Sequence, residues 1–158
     1  MGDPPGATRV RHEARIRRSY EVTSPYERIG GEAGVRAFTR RFYHLMDTHP
    51  DAAPARAIHG ASLDLSEQKL FEYLTGWLGG PPLFTDKYGP VMLRRRHLSA
   101  PIATPEIDAW LLCFRQAWAE TVTDEELTRV VSPQIEKLAR HMQNREDPAP
   151  EAWAPDGA

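Results

Sequence analysis

Apolar residues recur along this chain at helical spacing, and the polar positions between them mark where each helix starts and stops. Ser24-Pro25-Tyr26-Glu27 joins an N-cap serine to a proline at the first helical position, with Glu27 placed for a capping box. Gly30-Gly31 ends that short helix. From Glu32 onward Val35, Phe38, Phe42, Leu45 and Met46 fall on one stripe, which His49-Pro50 closes. An alanine-rich loop is expected from there to about Ala61. Leu65-Ser66-Glu67 opens the next helix, striped by Leu70, Tyr73, Leu74, Trp77 and Leu78, and Gly79-Gly80-Pro81-Pro82 stops it. Leu83 to Lys87 is poorly periodic. Tyr88 to Leu98 then carries Met92, Leu93 and His97 at a spacing that suits a short helix, with Gly89-Pro90 near its start.

Thr104-Pro105-Glu106-Ile107 repeats the cap-and-proline start and leads to Trp110, Leu111, Phe114, Ala117 and Trp118 on one face. Thr123-Asp124-Glu125-Glu126 places acids in the first turn of a last helix, where the helix dipole favours them. Leu127, Val130, Val131, Ile135, Leu138 and Met142 form its apolar side. Pro133 removes a backbone donor inside that run, so a kink or a restart is expected there. Strand-like alternation and internal repeats are absent. The pattern predicts an all-α domain over 25–145, preceded by an arginine-rich extension (1–24) and followed by a proline-rich, disordered tail (146–158). Arg9, Arg11, Arg15, Arg17 and Arg18 make the extension either a solvated arm or a docking segment for an acidic partner or membrane surface.

Composition narrows the classes. A length of 158 residues suits one domain, and a 41% hydrophobic fraction suffices for a packed core. A net charge of −2 gives no global reason to expect nucleic-acid binding, and no apolar run is long enough to span a bilayer. The first residues lack the apolar stretch of a secretory signal, so a cytoplasmic, reducing location is expected. Cys113 is the one cysteine; it excludes an internal disulfide and a cysteine zinc cluster, and reads as a small buried hydrophobe.

Glycine-rich phosphate loops, His-Glu-x-x-His and nucleophile-elbow serines are all missing. What stands out instead is isolated histidines and tyrosines among strong apolar stripes. Arg94-Arg95-Arg96-His97 joins three cations to a histidine at the end of a short helix. Neighbouring positive charge disfavours protonation of an imidazole and keeps it available as a ligand. An apolar slot, one neutral imidazole and cations at the rim are what a haem pocket requires. By itself the tetrapeptide reads as surface rather than as a metal ligand.

Phe42-Tyr43, Gly79-Gly80-Pro81-Pro82, Arg94-x-Arg96-His97 and Asp108-Ala109-Trp110-Leu111-Leu112-Cys113 occur in this order, with Gly30-Gly31 ahead of them. In these segments the chain resembles the group II truncated haemoglobins, from about Tyr26 to Met142. The resemblance implies a globin-like, two-over-two helical sandwich that binds haem b. It makes His97 the proximal iron ligand and Tyr43, Trp110 and His59 the distal group facing a bound ligand. Ser66 falls where oxygen-carrying animal globins have histidine, and is too short to replace it. Lys69 and Arg96 are implied partners of the haem propionates. Leu70, Tyr73, Leu74, Phe84, Met92, Leu93, Ile102 and Phe114 are the expected pocket lining.

The implied activity is reversible binding of oxygen, nitric oxide or carbon monoxide at a pentacoordinate iron, with donors that slow oxygen release. Two alternatives stand beside it. One is a haem enzyme, a nitric-oxide dioxygenase or peroxidase served by a reductase; the other is a haem-free helical interaction module. A monomer or a homodimer is expected.

Overall fold

The computed structural model describes residues 23–148, and both the arginine-rich arm through residue 22 and the tail from residue 149 lie outside that range. The described chain is helical throughout, without strands. Its elements are α1 (Pro25–Ile29), α2 (Gly31–Thr48), a 3₁₀ turn (Pro50–Ala52), α3 (Ala53–Ala57), α4 (Asp64–Trp77), α5 (Leu83–Tyr88), α6 (Leu93–His97), α7 (Thr104–Thr121) and α8 (Glu125–His141).

Four long helices make the body. α2 packs most extensively on α7 and also on α4, while α8 folds back onto α7 after the short connection Val122–Asp124. Phe38, Phe42 and Met46 of α2, Leu111 and Cys113 of α7 and Leu74 of α4 are all fully buried in one core cluster. Phe38 meets Phe114 edge-on at 4.8 Å, and Trp118 at 5.5 Å. Such aromatic pairs add about 0.5–1.5 kcal/mol each beyond the area they bury. Trp118 further donates its indole N–H to the Thr128 hydroxyl at 2.7 Å, tying α7 to α8.

The ends of the helices explain their lengths. Ser24 accepts from the Glu27 N–H at 3.2 Å, and Gly30 turns the chain with φ of 107°, a conformation glycine adopts without strain. Asp124 caps α8 by accepting from the Leu127 N–H at 3.0 Å. The cap of α7 sits one residue earlier than the sequence suggests. Ala103 holds the N-cap position and donates its N–H to the Glu106 carboxylate at 3.0 Å, leaving Thr104 to bond Asp147 instead.

Three expectations need correction. The stretch from Pro50 to Ala57 is a 3₁₀ turn and a short helix rather than a loop, because Pro50 and Pro54 preset helical φ and Ala52 and Ala55 bury against the core. Leu83–Tyr88 is also helical; Phe84 anchors it, and Lys87 reaches back to the buried Glu72 carboxylate of α4 at 3.4 Å. Pro133 does not divide the last helix, which runs continuously from Glu125 to His141 with Pro133 on its exposed side.

Candidate functional site

The short helices α3, α5 and α6 are what the long helices leave for a cavity of about 550 Å³. Ligand sites of this kind are mostly apolar with a few convergent polar groups. The walls here come from Leu70, Tyr73, Leu74, Phe84, Leu93 and Ile102, all expected lining residues. His97, Tyr43, His59, Trp110, Lys69, Arg96 and Ser66 border the same space.

His97 is the last residue of α6, and its Nδ1 lies 2.7 Å from the Leu93 carbonyl oxygen one turn earlier. A carbonyl only accepts, so Nδ1 is the donor, and the neutral imidazole then has its lone pair on Nε2. This is the arrangement that fixes the tautomer and ring orientation of a metal-ligating histidine. The residues present therefore fit a haem with one axial imidazole.

Tyr43 is buried on α2, edge-on to Phe42 at 4.9 Å and to His59 at 6.1 Å. Burial, reinforced by Glu67 and Cys113, holds its phenol well above the ordinary range, so it keeps its proton as a donor. Trp110 on α7 stacks on Phe114 at 5.5 Å and meets Phe42 edge-on at 5.2 Å. Among the described residues neither the Tyr43 hydroxyl nor the Trp110 indole N–H has a protein partner, in contrast to Trp118. Neither is sealed off as a buried group without a partner, and both residues border the cavity.

His59 repeats the device seen at His97. Its Nδ1 lies 2.7 Å from the Ala55 carbonyl, so Nδ1 is again the donor and Nε2 the lone-pair acceptor. Burial lowers its pKa, with Arg56 and His97 adding to the effect against the bond to Ala55. The ring is therefore neutral near pH 7.

The cations at the rim differ in freedom. Lys69 is exposed, with its Nζ 5.3 Å from the Tyr88 ring centre. Arg96 donates from Nε to the Val91 carbonyl at 2.8 Å and from one terminal nitrogen to the carbonyls of Tyr88 and Pro90, at 2.9 and 3.0 Å. Only its other terminal nitrogen is left for a carboxylate. Much of Arg96 thus holds the loop between α5 and α6 in place.

Two expected lining residues lie elsewhere. Met92 precedes α6 with φ of 40° and is 52% exposed, because the helix begins only at Leu93. Phe114 sits one helical turn beyond Trp110 and is buried between the rings of Trp110 and Trp118, both at 5.5 Å. Sequence reading in turn missed Ala55, Ile58, Tyr88, Leu138 and Met142, which line the cavity. Leu138 and Met142 were visible as the end of the last apolar stripe, whose final turn packs on the core and borders the cavity as well. Cys113 is fully buried, and burial pushes its thiol up to about 11, which suits an inert apolar residue.

Comparison with known proteins agrees with this geometry. The bacterial-like globin family matches residues 24–144. Group 2 truncated hemoglobin YjbI of Bacillus subtilis is 37% identical over 122 residues, covering 77% of this chain and 89% of that protein. The group II 2-on-2 hemoglobin of Agrobacterium tumefaciens superposes with a TM-score of 0.79 at 55% identity, covering 82% of this chain and 99% of that one. A structure described as a truncated oxygen-avid haemoglobin from Bacillus subtilis matches with a TM-score of 0.70 at 37% identity, over 77% of this chain and all of that one (100%).

Proposed function

This chain belongs to the bacterial-like globin family, as a group II truncated haemoglobin, and from that membership we propose that His97 holds its haem iron and that a polar distal group slows release of a diatomic ligand. Haem b is the cofactor of the family, and when bound it would supply an iron centre able to take a diatomic gas. The haem-free interaction module falls with that membership.

The observation that carries the reading is the pairing of a free His97 Nε2 with two unpartnered donors, Tyr43 and Trp110, on one apolar cavity. Leu93 orients the imidazole through its carbonyl. The aliphatic and aromatic walls exclude water, and in such surroundings a hydrogen bond strengthens because little solvent screens it. Tyr43 and Trp110 donate to the ligand. His59 contributes an acceptor rather than a third donor. Lys69, with the free nitrogen of Arg96, holds the propionates. The oxygen-avid description of the Bacillus subtilis relative supports slow release here.

Each donor to a ligand that takes on negative charge is worth about 1.5–3 kcal/mol, which corresponds to roughly ten- to a hundredfold in release rate. Stopped-flow oxygen release from Tyr43→Phe and Trp110→Phe is therefore expected to be faster than wild type by about that factor. Wild-type rates in both variants would sink the distal-donor reading.

A further inference from the structure

The chain that follows α8 reaches back to the loop between His97 and α7. Asn144 does most of the work. Its side-chain amide nitrogen donates to the carbonyl of His97 itself at 3.1 Å and to that of Ala100 at 2.9 Å. Its side-chain oxygen accepts from the Ile102 N–H at 3.0 Å. Only this orientation of the amide satisfies two carbonyls and one N–H at once. The backbone N–H groups of Asn144 and Arg145 both end on the Ile102 carbonyl, at 2.9 and 3.0 Å. Three residues later, Asp147 accepts from the N–H and the hydroxyl of Thr104, each at 2.9 Å.

These bonds fall where local structure is weakest. α6 has five residues, none of them buried, and the chain from Ser99 to Ala103 belongs to no helix. A single helical turn leaves its last carbonyls without partners of its own. His97 is one of those last residues, and its carbonyl accepts from both the Ala100 N–H, at 3.1 Å, and the Asn144 amide. Ile102, held at the other end of the loop, is a wall of the cavity.

We propose that Asn144 is a positioning residue for His97, fixing the backbone of the iron-binding histidine and the cavity wall at Ile102 from a segment 47 residues away. The proposal rests on His97 as the ligand. Through this strap the orientation of the proximal imidazole depends on the chain after α8 as well as on the turn of helix that carries it.

The test uses the full-length holoprotein. The iron–histidine stretching band of the ferrous, ligand-free protein is recorded by resonance Raman, and haem loss to an excess of apo-globin acceptor is timed. Asn144→Ala removes the bonds to His97, Ala100 and Ile102 together with a longer one, at 3.4 Å, from the Arg145 guanidinium. Asn144→Asp keeps the oxygen that holds Ile102 but loses both donors, and it carries the test where the alanine variant does not fold. Both are expected to shift or broaden the band and to speed haem loss by about tenfold. Arg28→Ala, which severs the Arg28–Asp124 pair away from this loop, is expected to change neither. A wild-type band and wild-type haem loss in folded Asn144 variants would overturn the proposal. A band that survives in His97→Gly would instead remove its premise, so the two failures are told apart.

Discussion

Two histidines bordering one cavity use the same local bond to opposite ends. Each gives its Nδ1 proton to a carbonyl one turn earlier, Leu93 for His97 and Ala55 for His59, and each keeps an Nε2 lone pair. For His97 that lone pair is what an iron centre needs. For His59 it reverses the polarity expected of a distal histidine. The groups around His59 are Tyr43, Arg56 and His97, and burial, to which Arg56 and His97 add against the bond to Ala55, lowers its pKa. Its change of charge therefore lies below the ordinary value of about 6.5. Once protonated, Nε2 becomes a further donor bordering the cavity. Oxygen release from the wild type is thus expected to slow as pH falls from about 8 to 5, and His59→Leu to lose that dependence. Release from the wild type that is independent of pH would refute this. The same shift makes the native state resist protonation, so stability at this residue is intact above about pH 6.5 and declines on acidification through the lowered folded pKa.

At the scale of elements, most boundaries were legible because they are written in residues with one dominant local effect. Ser24-Pro25, Gly30-Gly31, Asp124 and the Gly79-Gly80 stop all act where their sequence pattern places them. What escaped depended on contacts from outside the element. Pro50–Ala57 reads as an alanine-rich loop until Ala52 and Ala55 are seen against the core, and Leu83–Tyr88 has no clear period until Glu72 and Arg96 are found beside it. The Thr104 cap was misplaced by one residue because Asp147, 43 residues away, claims the threonine. The two glycine pairs share Tyr26 as a neighbour. Tyr26 donates its N–H to the Leu78 carbonyl at 2.9 Å and lays its ring over Gly80, where an added Cβ would stand 2.7 Å from the ring and 2.9 Å from the Thr75 carbonyl oxygen. Gly80→Ala is expected to cost about 1–3 kcal/mol by chemical denaturation, the range for an overpacked contact. Gly60→Ala, whose Cβ would meet nothing nearer than 4.0 Å, is the comparison and should stay close to wild type.

On the scale of the whole molecule, the long helices form the frame and the short ones carry the chemistry. α2 and α7 bring Tyr43 and Trp110 to the cavity, α3 and the turn after it bring His59, and α6 brings His97. Periodicity alone gave the frame. It gave no site, since a histidine beside three arginines reads as surface until it is placed relative to the glycine-proline break before it and the tryptophan helix after it. Positional resemblance then reached the polar residues better than the apolar ones. Met92 and Phe114 do not line the cavity, and Leu138 and Met142 do, because lining depends on where a helix begins and how its last turn faces. The segment after α8 escaped entirely, since nothing local in Asn144 announces bonds to His97 and Ile102. The central claim is that His97 holds the iron. It is tested most directly by the ferrous, ligand-free absorption spectrum of His97→Gly, recorded without and then with added imidazole. Loss of the wild-type spectrum and its return with imidazole is the predicted result, and a wild-type spectrum in the variant without imidazole would contradict it.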